Sequence, residues 1–139
     1  MIKKSVLLVD DEQAILMSLG NYLGKNNFTV TPVLNGEDAL SEIHTSPGFD
    51  IVITDLEMPG ISGIELLKEI RKDNVDIGVF ILTGHENMAS KREALRFGAN
   101  DFLQKPCDAD ELVFKMNKFL KDQRGGRRLL NLKNLCQSG

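Results

Sequence analysis

Ile51-Val52-Ile53-Thr54-Asp55-Leu56-Glu57-Met58-Pro59-Gly60 is a β-branched apolar run that drives into a carboxylate and is then broken by Met58-Pro59-Gly60. Asp55 therefore stands at the end of a strand, where backbone gives way to solvent. In an open parallel α/β sheet, ligands bind outside the carboxyl ends of the strands, so a carboxylate there faces the functional edge of the fold. What else reaches that edge sets the chemistry.

Upstream, Ser5-Val6-Leu7-Leu8-Val9 has strand length and suits burial on both faces; it too ends in acids, Asp10-Asp11-Glu12. Ile15, Leu16, Leu19, Tyr22 and Leu23 then paint one helical stripe from Glu12 to Leu23, which Gly24 and Asn26-Asn27 are expected to close. Phe28 to Val33 reads as a second strand, placed at a sheet edge by Pro32. Asn35-Gly36 turns the chain into a short helix from Glu37 to His44.

Downstream, a third helix passes through Leu66, Leu67, Ile70 and Arg71, and a fourth strand, Ile77 to Leu82, ends at Thr83-Gly84. Glu86 to Phe97 is helical, with Gly98 as its C′ residue. Asp101 to Lys105 is a short fifth strand stopped by Pro106, and Asp108 caps a last helix whose core stripe is Leu112, Val113, Met116, Phe119 and Leu120. Five strands alternating with five helices imply βαβ units, right-handed crossovers and a parallel sheet with helices on both faces.

The 139 residues, 42% hydrophobic and 27% charged, fit one domain, expected over 1–121, followed by a basic tail or linker over 122–139. The apolar run after Met1-Ile2-Lys3-Lys4 meets acids long before it could cross a membrane, so the expectation is a cytoplasmic protein with no membrane role. Cys107 and Cys136 have no metal-ligand spacing and read as free thiols. Residues 121–139 hold five Lys/Arg against one acid, so with −3 overall the preceding 120 residues carry −7. That acidic body argues against direct nucleic-acid binding. Gly125-Gly126 suggests a hinge, and Leu129, Leu132 and Leu135 fit either a frayed linker or a docking helix.

Four of the strands deliver polar groups at their C-terminal ends: Asp10 and Asp11, Asp55, Thr83, and Lys105. Each alone has a bland explanation: a helix N-cap, a strand-to-turn step, a snorkelling lysine. Three carboxylates brought to one rim repel one another and invite a divalent cation, and oxygen ligands without His or Cys favour Mg²⁺. A Mg²⁺ ion held by few carboxylates shares its remaining sites with a phosphoryl group, which Lys105 and the Thr83 hydroxyl would serve as cation and donor. With no Ser or Cys paired to a base, the candidate nucleophile is a carboxylate, and the product an aspartyl-phosphate.

Val9-Asp10-Asp11-Glu12, Asp55 with Met58-Pro59-Gly60, Thr83-Gly84, Gly98-Ala99 with Asp101-Phe102, and Lys105-Pro106 follow one another between residue 3 and about residue 121. In that order and at those intervals they resemble the response-regulator receiver domain of two-component signalling. The resemblance implies a flavodoxin-like three-layer sandwich with a five-stranded parallel sheet of order 2-1-3-4-5. It implies Asp55 as phosphoacceptor and Mg²⁺ held by Asp10, Asp11, Asp55 and the backbone carbonyl of Glu57, with Asp10 acting through water. It makes Lys105 the counter-charge, before a cis Pro106. Thr83 would swing toward the phosphoryl group while Phe102 turns inward, and the side chains of Glu57 and His85 would flank the hydrolytic water and tune the lifetime.

The implied function is a phosphorylation-activated switch in a phosphorelay, fed by a sensor histidine kinase or phosphotransfer protein, and no enzyme beyond gain and loss of the phosphoryl group at Asp55. Phosphorylation adds about two negative charges at one strand end. A near-complete shift of state needs roughly 5.5 kcal/mol of differential stabilisation. The face expected to change runs from Ser90 to Phe102 and the final helix, where an output partner or a second copy would bind. The alternatives are a Mg²⁺-dependent phosphatase with Asp55 as nucleophile and an unphosphorylated receiver-like scaffold. The chain is expected to be either a single-domain regulator or a piece of a longer protein.

Overall fold

Val6, Leu7, Leu8 and Val9 are at most 1% exposed, while Lys4 before them and Asp11 after them are solvated. Sliding this strand by one residue pair would bury one of those charges, so the charges fix the register of a run that is apolar on both faces. The structure, a computed structural model, describes residues 3–137 apart from 47, 74, 75 and 85–87, with the backbone alone for 124–137.

The elements alternate as read from the sequence: β1 (Lys4–Val9), α1 (Gln13–Lys25), β2 (Phe28–Val33), α2 (Gly36–Thr45), β3 (Ile51–Asp55), α3 (Gly63–Asp73), β4 (Gly78–Thr83), α4 (Met88–Arg96), β5 (Asp101–Gln104) and α5 (Ala109–Gln137). The strands form one sheet in the order β2-β1-β3-β4-β5, every pair parallel. This is the flavodoxin-like arrangement, with its reversal of strand order between β1 and β3. Pro32 sits on edge strand β2, where a missing N–H costs least.

The two-residue period of each strand sorts the core into two layers. Val6, Leu8, Ile51, Ile53, Phe80, Leu82 and Leu103 face Leu16 and Leu23 of α1 and Leu112, Met116 and Leu120 of α5. Leu7, Val9, Val52, Val79, Ile81 and Phe102 face Ala39 of α2, the Leu66-Leu67-Ile70 stripe of α3 and Ala94 of α4. Each such side chain contributes about 1.5–3 kcal/mol on burial, which pins the strands and hence the groups at their ends.

Two local expectations shift. The α1 helix runs through Gly24 to Lys25, and the left-handed residue that turns the chain is Asn27, at φ 71°; Asn tolerates that region better than most non-glycines. Asp108 does cap α5, its Oδ1 accepting the Asp110 N–H at 2.9 Å, but the helical backbone passes Gly125-Gly126, where a hinge was expected. Strong helix formers on both sides can carry two glycines, at about 1 kcal/mol each.

Candidate functional site

Pairing brings Val9 level with Thr54, Asp55 level with Leu82, and Thr83 level with Gln104. Asp10 and Asp55 therefore leave neighbouring strands at one height, with Thr83 and Lys105 just beyond. The ladder continues past the strands, through the Leu56 N–H to the Leu82 carbonyl (2.8 Å) and the Lys105 N–H to the Thr83 carbonyl (2.7 Å). The Lys105-Pro106 peptide is cis.

The site lies deeper than a solvent-facing strand end. Asp10 is 2% exposed, Asp55 7% and Thr83 1%, whereas Asp11 is solvated. Asp55 is covered because the chain after it turns back, the Gly63 N–H donating to the Leu56 carbonyl at 2.9 Å, and because Lys105 reaches across. The Lys105 Nζ donates to Asp10 Oδ2 at 2.8 Å and lies 3.4 Å from Asp55 Oδ2. The other oxygen of Asp10 accepts the Glu12 N–H at 2.9 Å.

Burial pushes the Asp55 carboxyl above its ordinary range; the nearby Lys105 charge opposes this, the Asp10 charge reinforces it, and the backbone N–H of Glu57 facing the carboxylate lowers it. The net direction is upward, so one ammonium does not offset the desolvation and crowding of the acids. Burial alone would lower the Lys105 pKa, but the Asp10 hydrogen bond and the charges of both acids outweigh it and the net is a rise. Lys105 is thus held as a cation.

Asp10, Asp11 and Asp55 offer carboxylate oxygens that all lie within 4.8 Å of one another. Three carboxylates against one ammonium leave negative charge that a divalent cation would neutralise, and a donor set of oxygen alone suits a hard ion such as Mg²⁺. The residues present therefore fit the ion expected from the sequence. Glu57 has an exposed side chain, its backbone lies beside the Asp55 carboxylate, and His85 lies outside the described residues. Phe102 is 9% exposed and packed inward among the α2, α3 and α4 side chains.

Two residues bear on the site without having stood out in the sequence. A side chain on Gly63 would collide with the Asp55 carbonyl, and Glu37, in the neighbouring helix α2, accepts the Ile61 N–H at 3.0 Å. A glycine at a helix start and an acid in a first turn are ordinary features, and a contact spanning 24 positions leaves no periodic trace. Cys107 is half-buried, its thiol pushed up by burial and bonded to the Asp108 carbonyl at 3.5 Å, and takes no part in the acid cluster. Among the described residues no helix is long and apolar enough to cross a membrane.

The response regulator receiver domain family matches residues 6–117. The chain is 36% identical to the sensory transduction protein RegX3 of Mycobacterium tuberculosis over 122 residues, 88% of this chain and 52% of that protein. It spans about half the length of the curated relatives it matches. Among solved structures it is similar to a response regulator receiver domain protein from Clostridium thermocellum, with 30% identity, a TM-score of 0.82 and coverage of 87% of this chain and 97% of that one. A CheY-like receiver domain protein from Methanospirillum hungatei superposes with a TM-score of 0.85 at 26% identity, covering 89% of this chain and 98% of that one. Because the family match runs from within β1 into α5 and takes in every strand end that builds the site, this chain belongs to the response regulator receiver domain family.

Proposed function

We propose that the chain is a phosphorylation-activated switch in which Asp55 accepts a phosphoryl group from a phosphohistidine in a Mg²⁺-dependent reaction. One observation supports this most: carboxylate oxygens of Asp10, Asp11 and Asp55 lie within 4.8 Å of one another, with the Lys105 ammonium 3.4 Å from Asp55. Receiver domains interact with histidine kinases or phosphotransfer proteins, and the donor is of that class.

An Asp55 carboxylate oxygen forms the new bond to phosphorus as the phosphorus–nitrogen bond to the imidazole breaks, the electron pair remaining on nitrogen. Lys105, fixed between Asp10 and Asp55, supplies positive charge to the equatorial oxygens, and the Thr83 hydroxyl at the adjacent strand end supplies a donor. Asp11, Asp55 and the Glu57 carbonyl would hold Mg²⁺ directly. Asp10, whose oxygens already accept from Lys105 and Glu12, suits a role through water. When bound, the ion would offset the crowded carboxylates and the charge on the transferring group.

The readout is the α4–β5–α5 face. Phe102 stands inward on β5, so Thr83 and Phe102 couple the rim to that face. Met88, Leu95, Phe97 and Phe114, four of the six exposed large apolar side chains among the described residues, belong to α4, the turn after it, and α5. Such a surface suits an output partner or a second copy of the chain. Lifetime is tuned at Glu57 and His85.

Incubation with acetyl phosphate and Mg²⁺, read by intact mass, tests the proposal. The expected result is a single base-labile phosphoryl group, absent with EDTA and absent in Asp55→Asn. Equal labelling of Asp55→Asn would remove Asp55 from the role.

A further inference from the structure

The loop between β3 and α3 is closed at its base and pinned at its tip. At the base, the Gly63 N–H reaches the Leu56 carbonyl, and α3 starts flush against the Asp55 backbone. At the tip, Glu37 in the first turn of α2 accepts the Ile61 N–H at 3.0 Å. Gly60 turns there at φ +79°, and a Cβ on it would lie 2.5 Å from Glu37 Oε1. A Cβ on Gly36 would lie 2.9 Å from that of Ile61, so the loop and the start of α2 are in direct contact. The helix start is itself fixed by Asn35, whose side chain accepts the Asp38 N–H at 2.7 Å.

Glu57 lies between base and tip, two residues after Asp55, with its backbone N–H close enough to that carboxylate to favour its charged form. A short loop held at both places has few ways to move, so release of the tip displaces the Glu57 backbone beside Asp55. We infer that Glu37 is a positioning residue for the Mg²⁺ and phosphoryl site, its carboxylate holding the 57–62 loop so that the Glu57 backbone stays aligned with Asp55. The inference rests on the proposed role of Asp10, Asp11 and Asp55 as the Mg²⁺ site.

Titration calorimetry with MgCl₂ alone tests it on the whole chain. Glu37→Met keeps length and helix preference but cannot accept the Ile61 N–H, and is expected to weaken Mg²⁺ binding about tenfold, as loss of a supporting group around a metal site does. Glu37→Gln removes the charge, keeps an acceptor oxygen, and should restore affinity to within about twofold of wild type. Amide exchange at Glu57 and Ile61 should speed up in Glu37→Met and return toward wild type in Glu37→Gln. Unchanged affinity in Glu37→Met overturns the inference; so does a Gln variant as weak as Met, since charge and not the tether would then act.

Asp11→Asn separates the two levels. If Asp11→Asn weakens binding and Glu37→Met does not, the inference alone fails. If wild type binds no Mg²⁺, or Asp11→Asn binds as wild type does, the proposed metal site fails and the inference with it. Should circular dichroism show Glu37→Met unfolded, Glu37→Ala carries the same comparison.

Discussion

The two ends of the sheet use polar side chains in opposite ways. At the N-terminal end they bond to backbone: the Asp50 carboxylate accepts the Ser5 N–H at 2.8 Å, and Asn100 Oδ1 accepts the Val79 N–H at 2.8 Å. Arg71 donates there to the carbonyls of Ile77 at 2.6 Å and Gly98 at 2.7 Å. At the C-terminal end Asp10, Asp11, Asp55 and Lys105 meet one another, and acids outnumber the cation. Polar groups matched to backbone stabilise the fold, whereas a cluster of like charges is tolerated only where something else is to bind. A hydrogen-bonded polar side chain at a sheet end therefore does not by itself mark a site; an unbalanced charge does.

That contrast can be broken most directly by removing one charge from each end. Asp55→Asn is expected to abolish phosphoryl labelling altogether, read by intact mass after acetyl phosphate and Mg²⁺. At the other end Arg71→Ala should leave labelling at Asp55 in place but cost about 2–3 kcal/mol of stability by urea denaturation, because carbonyls of two segments lose a charged donor. Loss of labelling in a folded Arg71→Ala would erase the distinction between the ends.

Stability should move the other way at the rim. Without Mg²⁺, Asp55→Asn is expected to gain about 1 kcal/mol, since burial and the Asp10 charge oppose the carboxylate that the amide replaces. A Mg²⁺-free urea melt in which Asp55→Asn is less stable than wild type would show that Lys105 fully compensates the site.

The smallest effect sharpens the contrast on the surface. The hydrogen bond to Asp101 raises the Lys115 pKa, with Nζ 2.9 Å from the carboxylate. A lysine raised in the folded state contributes fully below its unfolded pKa of about 10.4 and loses that contribution as pH rises through the folded value. This half-exposed pair is worth a few tenths of a kcal/mol. Thermal melts above pH 10 should fall slightly more steeply for wild type than for Lys115→Met; parallel profiles would show that the pair contributes nothing.

Much of the molecule was legible in residue order. Runs such as Val6–Val9 and Ile51–Thr54 are apolar over strand length and bounded by charge or Pro-Gly, so the strands, their alternation with helices and the polar groups at their ends follow from local pattern. Parallel crossovers then put Asp10, Asp55, Thr83 and Lys105 on one side whatever the details of packing, because every strand points the same way. Residue order could not say that Asp55 would be buried, that Lys105 would bridge Asp10 and Asp55, or that Glu37 would reach Ile61. These depend on where a turn folds back and on which side chain crosses a gap between elements distant in the chain. Hydrophobic periodicity records which way a residue faces, and only the packed tertiary structure determines what it meets there.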